Sequence, residues 1–112
     1  SRAWHTLVPD RDHEVLTEGY GAPNSLDYVS AAVGDEGRLM MAYLPRGAAI
    51  SVDFSKLTGE RSQLWWYDPS SGRATSGGLV MAQGVQRVTP PARKSWLLVI
   101  DDAALELPAP GL

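Results

Sequence analysis

The chain has 112 residues, a formal net charge of −3 and no cysteine. That length suits one domain with a real hydrophobic core, and a 44% apolar content belongs to a folded chain. The acidic balance argues against non-specific nucleic-acid binding, and the lack of Cys excludes disulfides, thiolate metal sites and thiol catalysis.

The N-terminal stretch holds the only two histidines, His5 and His13, among Asp10, Asp12 and Glu14. These residues lack the defined spacing on a rigid element that a metal site needs, so a solvated charged loop is expected and no metal. Trp4 precedes Leu7-Val8-Pro9, a segment expected to tuck under a sheet. Asp27 to Val33 predicts a strand, Gly34-Asp35-Glu36-Gly37 a turn, and Arg38 to Leu44 the return strand, which together make a hairpin with a four-residue loop. Pro45-Arg46-Gly47 closes it. Ala49 to Phe54 alternates with period two, so Ile50, Val52 and Phe54 are expected inward and Ser51 and Asp53 outward. Ser55 to Ser62 reads as a polar connection with one helical turn around Lys56-Leu57.

Gln63-Leu64-Trp65-Trp66-Tyr67 is an aromatic strand that runs into Asp68-Pro69-Ser70-Ser71-Gly72. Pro69 presets the φ of a turn's second position and Gly72 tolerates positive φ, so a tight turn and the start of a return strand are expected. A Gly-rich stretch from Gly77 to Gly84 precedes a short strand, Val85 to Val88, which Pro90-Pro91 ends. Trp96-Leu97-Leu98-Val99-Ile100 is apolar without alternation, the mark of a central strand covered on both sides. The tail from Leu105 to Leu112, with Pro108 and Pro110, reads as loosely ordered.

Eleven glycines and eight prolines leave no room for long helices, and no run approaches the roughly 18 apolar residues of a membrane-spanning helix. The expectation is an all-β protein, an antiparallel β-sandwich of about seven to eight short strands, with a small closed barrel as the alternative. Residues 1–112 read as a single unit with an ordered core over about residues 4–101. The opening Ser1-Arg2-Ala3 lacks both Met and a leader pattern, and excision from a longer protein is expected.

Few residues offer chemistry. Asp27, Asp53 and Asp68 sit near strand ends, where a glycosidase carboxylate pair would be sought, but each has a simpler role. Asp68 caps the turn it opens, Asp53 points outward from an alternating strand, and Asp27 begins a strand. No Gly-x-Ser-x-Gly elbow is present, and Gly34-Asp35-Glu36-Gly37 lacks the Lys and helix of a phosphate loop. Asp35 and Glu36 are two adjacent acids in a turn, expected to be solvated and not a Ca²⁺ site. No catalytic set and no cofactor is expected. Adjacent strand residues point to opposite faces, so one of Trp65 and Trp66 can fill the core while the other is exposed or covered by something else. Trp65, Trp66 and Tyr67 are therefore the candidate binding residues, either stacking on a sugar ring or packing on a neighbouring domain. Trp4 and Trp96 read as packing residues.

The order of motifs resembles a known family. Trp4-x-x-Leu7-Val8-Pro9-Asp10 is followed by Tyr28-Val29-x-Ala31, Ala42-Tyr43-Leu44-Pro45-x-Gly47 and Val52-Asp53-Phe54 with Gly59. Trp66-Tyr67-Asp68-Pro69-x-x-Gly72, Pro90-Pro91 and Trp96 to Ile100 complete it. From about Trp4 to Asp101 the chain resembles the family named "putative collagen-binding domain of a collagenase". That family forms the C-terminal domain of bacterial apiosidase-like proteins whose main part is similar to a glycoside hydrolase TIM barrel. The resemblance implies a secreted or periplasmic, non-catalytic accessory β-sandwich whose partner is an upstream catalytic barrel of the same polypeptide. It implies, as the alternative, a module that binds polysaccharide or collagen.

Overall fold

The computed structural model describes residues 6–10, 15–18, 29–45, 49–81, 83–92 and 94–105. Nine strands are present among them: β1 (Val8–Pro9), β2 (Leu16–Glu18), β3 (Ser30–Gly34), β4 (Leu39–Leu44), β5 (Ile50–Asp53), β6 (Arg61–Asp68), β7 (Arg73–Met81), β8 (Val85–Val88) and β9 (Trp96–Asp102). They form two open antiparallel sheets, one of six strands in the order β1-β3-β4-β9-β6-β7 and one of three in the order β2-β5-β8. The expected sandwich is the fold, and the closed barrel is not. The only helical pieces in the described residues are single 3-10 turns, one of them at Phe54–Lys56, which shares Lys56 with the turn expected around Lys56-Leu57.

Alternation explains which side chains fill the space between the sheets. On β6, Ser62, Leu64, Trp66 and Asp68 are buried, while the residues between them are partly exposed. Ile50, Val52 and Phe54 are all essentially solvent-free, as their spacing predicts. Met40, Ala42, Leu98 and Ile100 meet them from the large sheet, with Leu16 and Val88 from the small one. β9 lies in the middle of the six-stranded sheet, between β4 and β6, and is buried at every position but the half-buried Leu97, which accounts for its unbroken apolar run.

Asp10 ties the two sheets together. Its backbone N–H donates to the Ala31 carbonyl on β3 at 2.9 Å, and its Oδ2 accepts from the N–H groups of Val15 (3.1 Å) and Leu16 (2.9 Å) at the start of β2. Asp53 N–H then donates to the Val15 carbonyl at 2.7 Å, which continues the link into β5.

One expectation needs correction. Leu7-Val8-Pro9 does not tuck under a sheet: Val8 and Pro9 form an edge strand paired with Val33 and Ala32, and Val8 is 64% exposed. A two-residue strand satisfies its backbone by pairing at the sheet edge and buries little. The return strand after the Asp68–Gly72 turn runs far into the Gly-rich stretch, because β7 continues through Gly77 and Gly78 to Met81. The register of β6 against β7 shifts there, with Trp65 opposite Ser76 but Leu64 opposite Gly78. Gly77 is the extra residue of a β-bulge. A Cβ on Gly77 would lie 2.9 Å from Leu64 Cβ and 3.0 Å from Trp66 Nε1, so the indole occupies the space that any other side chain would need. Trp4, His5, His13, Asp27 and the tail beyond Leu105 lie outside the described residues, as do the closing residues 46–48.

Candidate functional site

The aromatic strand is where sequence and structure meet. β6 presents Trp66 to the core at 4% exposure, where it meets Trp96 edge-to-face with ring centroids 6.2 Å apart. Trp96 donates its indole N–H to the Ala92 carbonyl at 2.9 Å, and the Lys94 ammonium lies over its ring, 4.8 Å from the centroid. Trp66 is thus a core residue and offers no ring to a ligand.

Trp65 and Tyr67 point the other way, onto the outer face of the six-stranded sheet. Directly opposed residues of an antiparallel pair share a face. The register therefore places Pro9, Ala32, Met41, Val99, Trp65 and Ser76 in one row across that face. The next row is Ser30, Tyr43, Leu97, Tyr67 and Ala74. Val99, between Met41 and Trp65, is fully buried, and Tyr43 is 43% exposed. Trp65 keeps its Nε1 buried without a hydrogen-bond partner. Gln63, one residue pair further along β6, spends its amide on Leu64 and Gly78 carbonyls and on the Ser76 hydroxyl. Met41, Tyr43 and Leu97 are parts of this surface that sequence reasoning did not single out. The signal for Leu97 was available in its outward place on an unalternating strand.

Of the three carboxylates near strand ends, Asp68 and Asp53 have structural roles, and Asp27 lies outside the described residues. Asp68 Oδ1 accepts from the Ser70 N–H (2.9 Å) and hydroxyl (2.7 Å), and Gly72 N–H donates to the Asp68 carbonyl at 2.8 Å. Gly72 takes φ +74°, the left-handed value the turn requires. Asp68 Oδ2 also accepts from the Lys94 ammonium. That cation, helped by the Ser70 hydroxyl, holds the Asp68 carboxyl far below the usual carboxylate range. Asp53 accepts from the N–H and hydroxyl of Ser55 at 3.1 and 2.5 Å, capping the 3-10 turn. Glu36 pairs with Arg38 at 3.7 Å in the β3–β4 turn. No cluster of three metal-ligating side chains occurs among the described residues.

Concave surface is shallow. An open depression of about 580 Å³ lies beside Thr6, Gly34, Glu36 and Arg38. A cleft of about 170 Å³ separates β7 from β8 over Trp66 and Gly77. Neither gathers converging polar groups around an apolar floor, the usual form of a small-molecule site.

Residues 8–101 match the model of the family described as "putative collagen-binding domain of a collagenase". The chain belongs to this family. Two solved structures share its fold. One, a glycoside hydrolase, aligns with 92% of this chain at 24% identity and a TM-score of 0.77. The other, a glycoside hydrolase family 5 protein from Bacteroides vulgatus, aligns with 92% of it at 21% identity and a TM-score of 0.78. In each case the matched part is 22% of the solved chain. No curated protein matches the chain.

Proposed function

We propose that this family member is a non-catalytic accessory domain of a bacterial glycoside hydrolase-like protein, and that it packs on and stabilises an upstream TIM barrel. One observation carries the reading: nearly the whole chain is matched by about a fifth of each of two much longer glycoside hydrolase chains. A β-sandwich attached to a larger catalytic module fits that proportion. Asp53 and Asp68 support it too, since they are committed to local capping and, for Asp68, an ion pair. The test is deletion of this domain from the polypeptide that carries it. Loss of thermal stability and activity in the remainder is expected, and an unaltered remainder would refute the proposal.

A second reading, a module that binds polysaccharide or collagen, rests on Trp65, Tyr67 and Tyr43 sharing one partly exposed face. Titration of the Trp fluorescence against plant polysaccharides and fibrillar collagen tests it. Saturable quenching that disappears in Trp65→Ala would establish binding. Silence from a folded chain would dismiss it.

A further inference from the structure

We infer that the cleft between β7 and β8 is a docking slot for an extended acidic peptide. The peptide adds a strand to the free edge of β7 and turns one carboxylate inward, to the Trp66 indole N–H. This site is separate from the accessory role and stands or falls without it.

β7 is the last strand of the six-stranded sheet, and seven of its nine residues are exposed, so nothing in the chain covers that edge. β8 is the last strand of the three-stranded sheet, so two strand edges border this side of the sandwich. An unpaired edge offers backbone N–H and C=O groups to an extended chain. β7 has no Lys, Asp, Glu or Pro to blunt that edge; the bulge at Gly77 is its one protection. Beyond the bulge the backbone is already engaged. Gly78 donates to the Ser76 hydroxyl and accepts from Gln63, and Gln86 donates to the Met81 carbonyl at 2.7 Å. The stretch from Arg73 to Ser76 is left for an added strand.

Gly77 opens a notch at the end of that stretch. A Cβ there would lie 3.0 Å from Trp66 Nε1 and 3.2 Å from its Cδ1, so the edge of the indole lies directly beneath the bulge. Glycine within a strand often marks the close approach of a ligand or another backbone. Trp66 is 4% exposed, yet its indole N–H meets no acceptor among the described residues. The Trp65 nitrogen is sealed off, whereas that of Trp66 borders the cleft of about 170 Å³. A nearly buried donor without an acceptor is unfavourable, and an oxygen entering the cleft relieves it.

Charge selects the occupant. Arg87 lines the cleft from β8 and Arg73 begins β7, and neither has a carboxylate partner among the described residues. Asp68, opposite Arg73, is paired with Lys94 instead. The chain as a whole carries −3, so this cationic edge is a local feature. Alternate side chains of an added strand point to the inner side of the sheet. One that does so beside Gly77 passes beneath the edge toward Trp66, where a carboxylate accepts from the indole N–H with Arg87 close by. A second copy of this chain fits poorly: β7 holds no carboxylate, and edge-to-edge pairing would bring two cationic strands together.

The probe is a short peptide of alternating Glu and Thr, added to the isotope-labelled chain and followed by nuclear magnetic resonance. The Trp66 indole N–H signal is identified by its absence from Trp66→Phe. A saturable downfield shift of that signal is expected, larger than for the other indoles. The matching Gln-Thr peptide should bind several-fold more weakly, and a Lys-Thr peptide should not bind. Arg73→Gln and Arg87→Gln, both at exposed positions, should each weaken binding several-fold without changing the fold. A Glu-Pro peptide, which lacks the backbone donors of a strand, should lose binding. Four results overturn the inference. One is no saturable shift up to the solubility limit of the Glu-Thr peptide. Another is equal binding of the Glu-Pro peptide or of acetate, which would reduce the site to charge attraction alone. A third is unchanged affinity in Trp66→Phe. The last is a Trp66 shift that grows with chain concentration in the absence of peptide, which would make a second copy the occupant.

Discussion

Replacing Trp66 by Ala tests the central assignment of the aromatic strand. The side chain is 4% exposed and packs edge-to-face on Trp96. Burial of roughly 150–250 Å² of aromatic surface at about 25 cal/mol per Å² gives about 4–6 kcal/mol, and residual structure in the unfolded chain lowers this by roughly a quarter. The edge-to-face contact adds about 1 kcal/mol. A loss near 4 kcal/mol is therefore expected, in line with the ~3–5 kcal/mol typical of buried Trp→Ala changes. Domains of this size have about 5–15 kcal/mol in total, so the variant would be marginal at 37 °C. The assay is urea unfolding followed by far-UV circular dichroism, which does not depend on the indole removed. With a slope of about 1–3 kcal/mol per M, the midpoint should fall by roughly 2 M. Trp66→Phe, which keeps most of the ring, should lose less than half as much and supplies a folded variant if Ala does not fold. Trp65→Phe is the counterpart. It removes a buried N–H that has no partner, whose desolvation costs about 1–3 kcal/mol, so its midpoint should stay close to that of the parent. If Trp65→Phe proved as damaging as Trp66→Ala, the assignment of inward and outward faces on β6 would be wrong.

Three more outcomes follow from the same geometry. Gly77→Ala drives a methyl against Leu64 and the Trp66 indole and should cost about 1–3 kcal/mol by overpacking; an unchanged thermal midpoint would refute the bulge geometry. Asp10→Ala leaves the Val15 and Leu16 N–H groups without their acceptor and should cost about 1–3 kcal/mol, whereas Asp10→Asn keeps an acceptor oxygen and should cost less; equal losses in urea melts would count against the link between sheets. The folded pKa of Asp68 lies below its unfolded value, so its ion pair with Lys94 stabilises the chain in full above the ordinary carboxylate range. That contribution fades as pH falls through the folded value, and Lys94→Met should flatten stability against pH on the acid side; an acid limb identical to the parent's would refute the pairing.

Much of the fold is legible in local pattern. Ile50, Val52 and Phe54 declare their buried face through strict alternation, and burial confirms it. Trp96 to Ile100 declares a central strand because only a strand covered on both sides tolerates so unbroken an apolar run. The Asp68-Pro69-x-x-Gly72 turn is readable because Pro and Gly restrict φ directly. β7 is harder to read, because Gly77 and Gly78 look like a loop until a partner strand shows that they form a bulge. The edge strand at Val8–Pro9 is hidden for a related reason: two residues carry no period at all, and only pairing with β3 makes them a strand. The candidate site was half legible. Period two states that Trp65 and Trp66 face opposite ways but not which of them faces inward.

That choice belongs to tertiary structure, along with the division of nine strands into six and three. Alternation is a property of a single strand and survives inspection of the chain alone. The inward side, the row joining Tyr43 to Leu97 and Tyr67, and the pairing of Asp68 with Lys94 each need register between segments far apart in sequence. Register is set by the summed burial of all strands at once, because slipping one strand by a residue turns its whole apolar set to the wrong side.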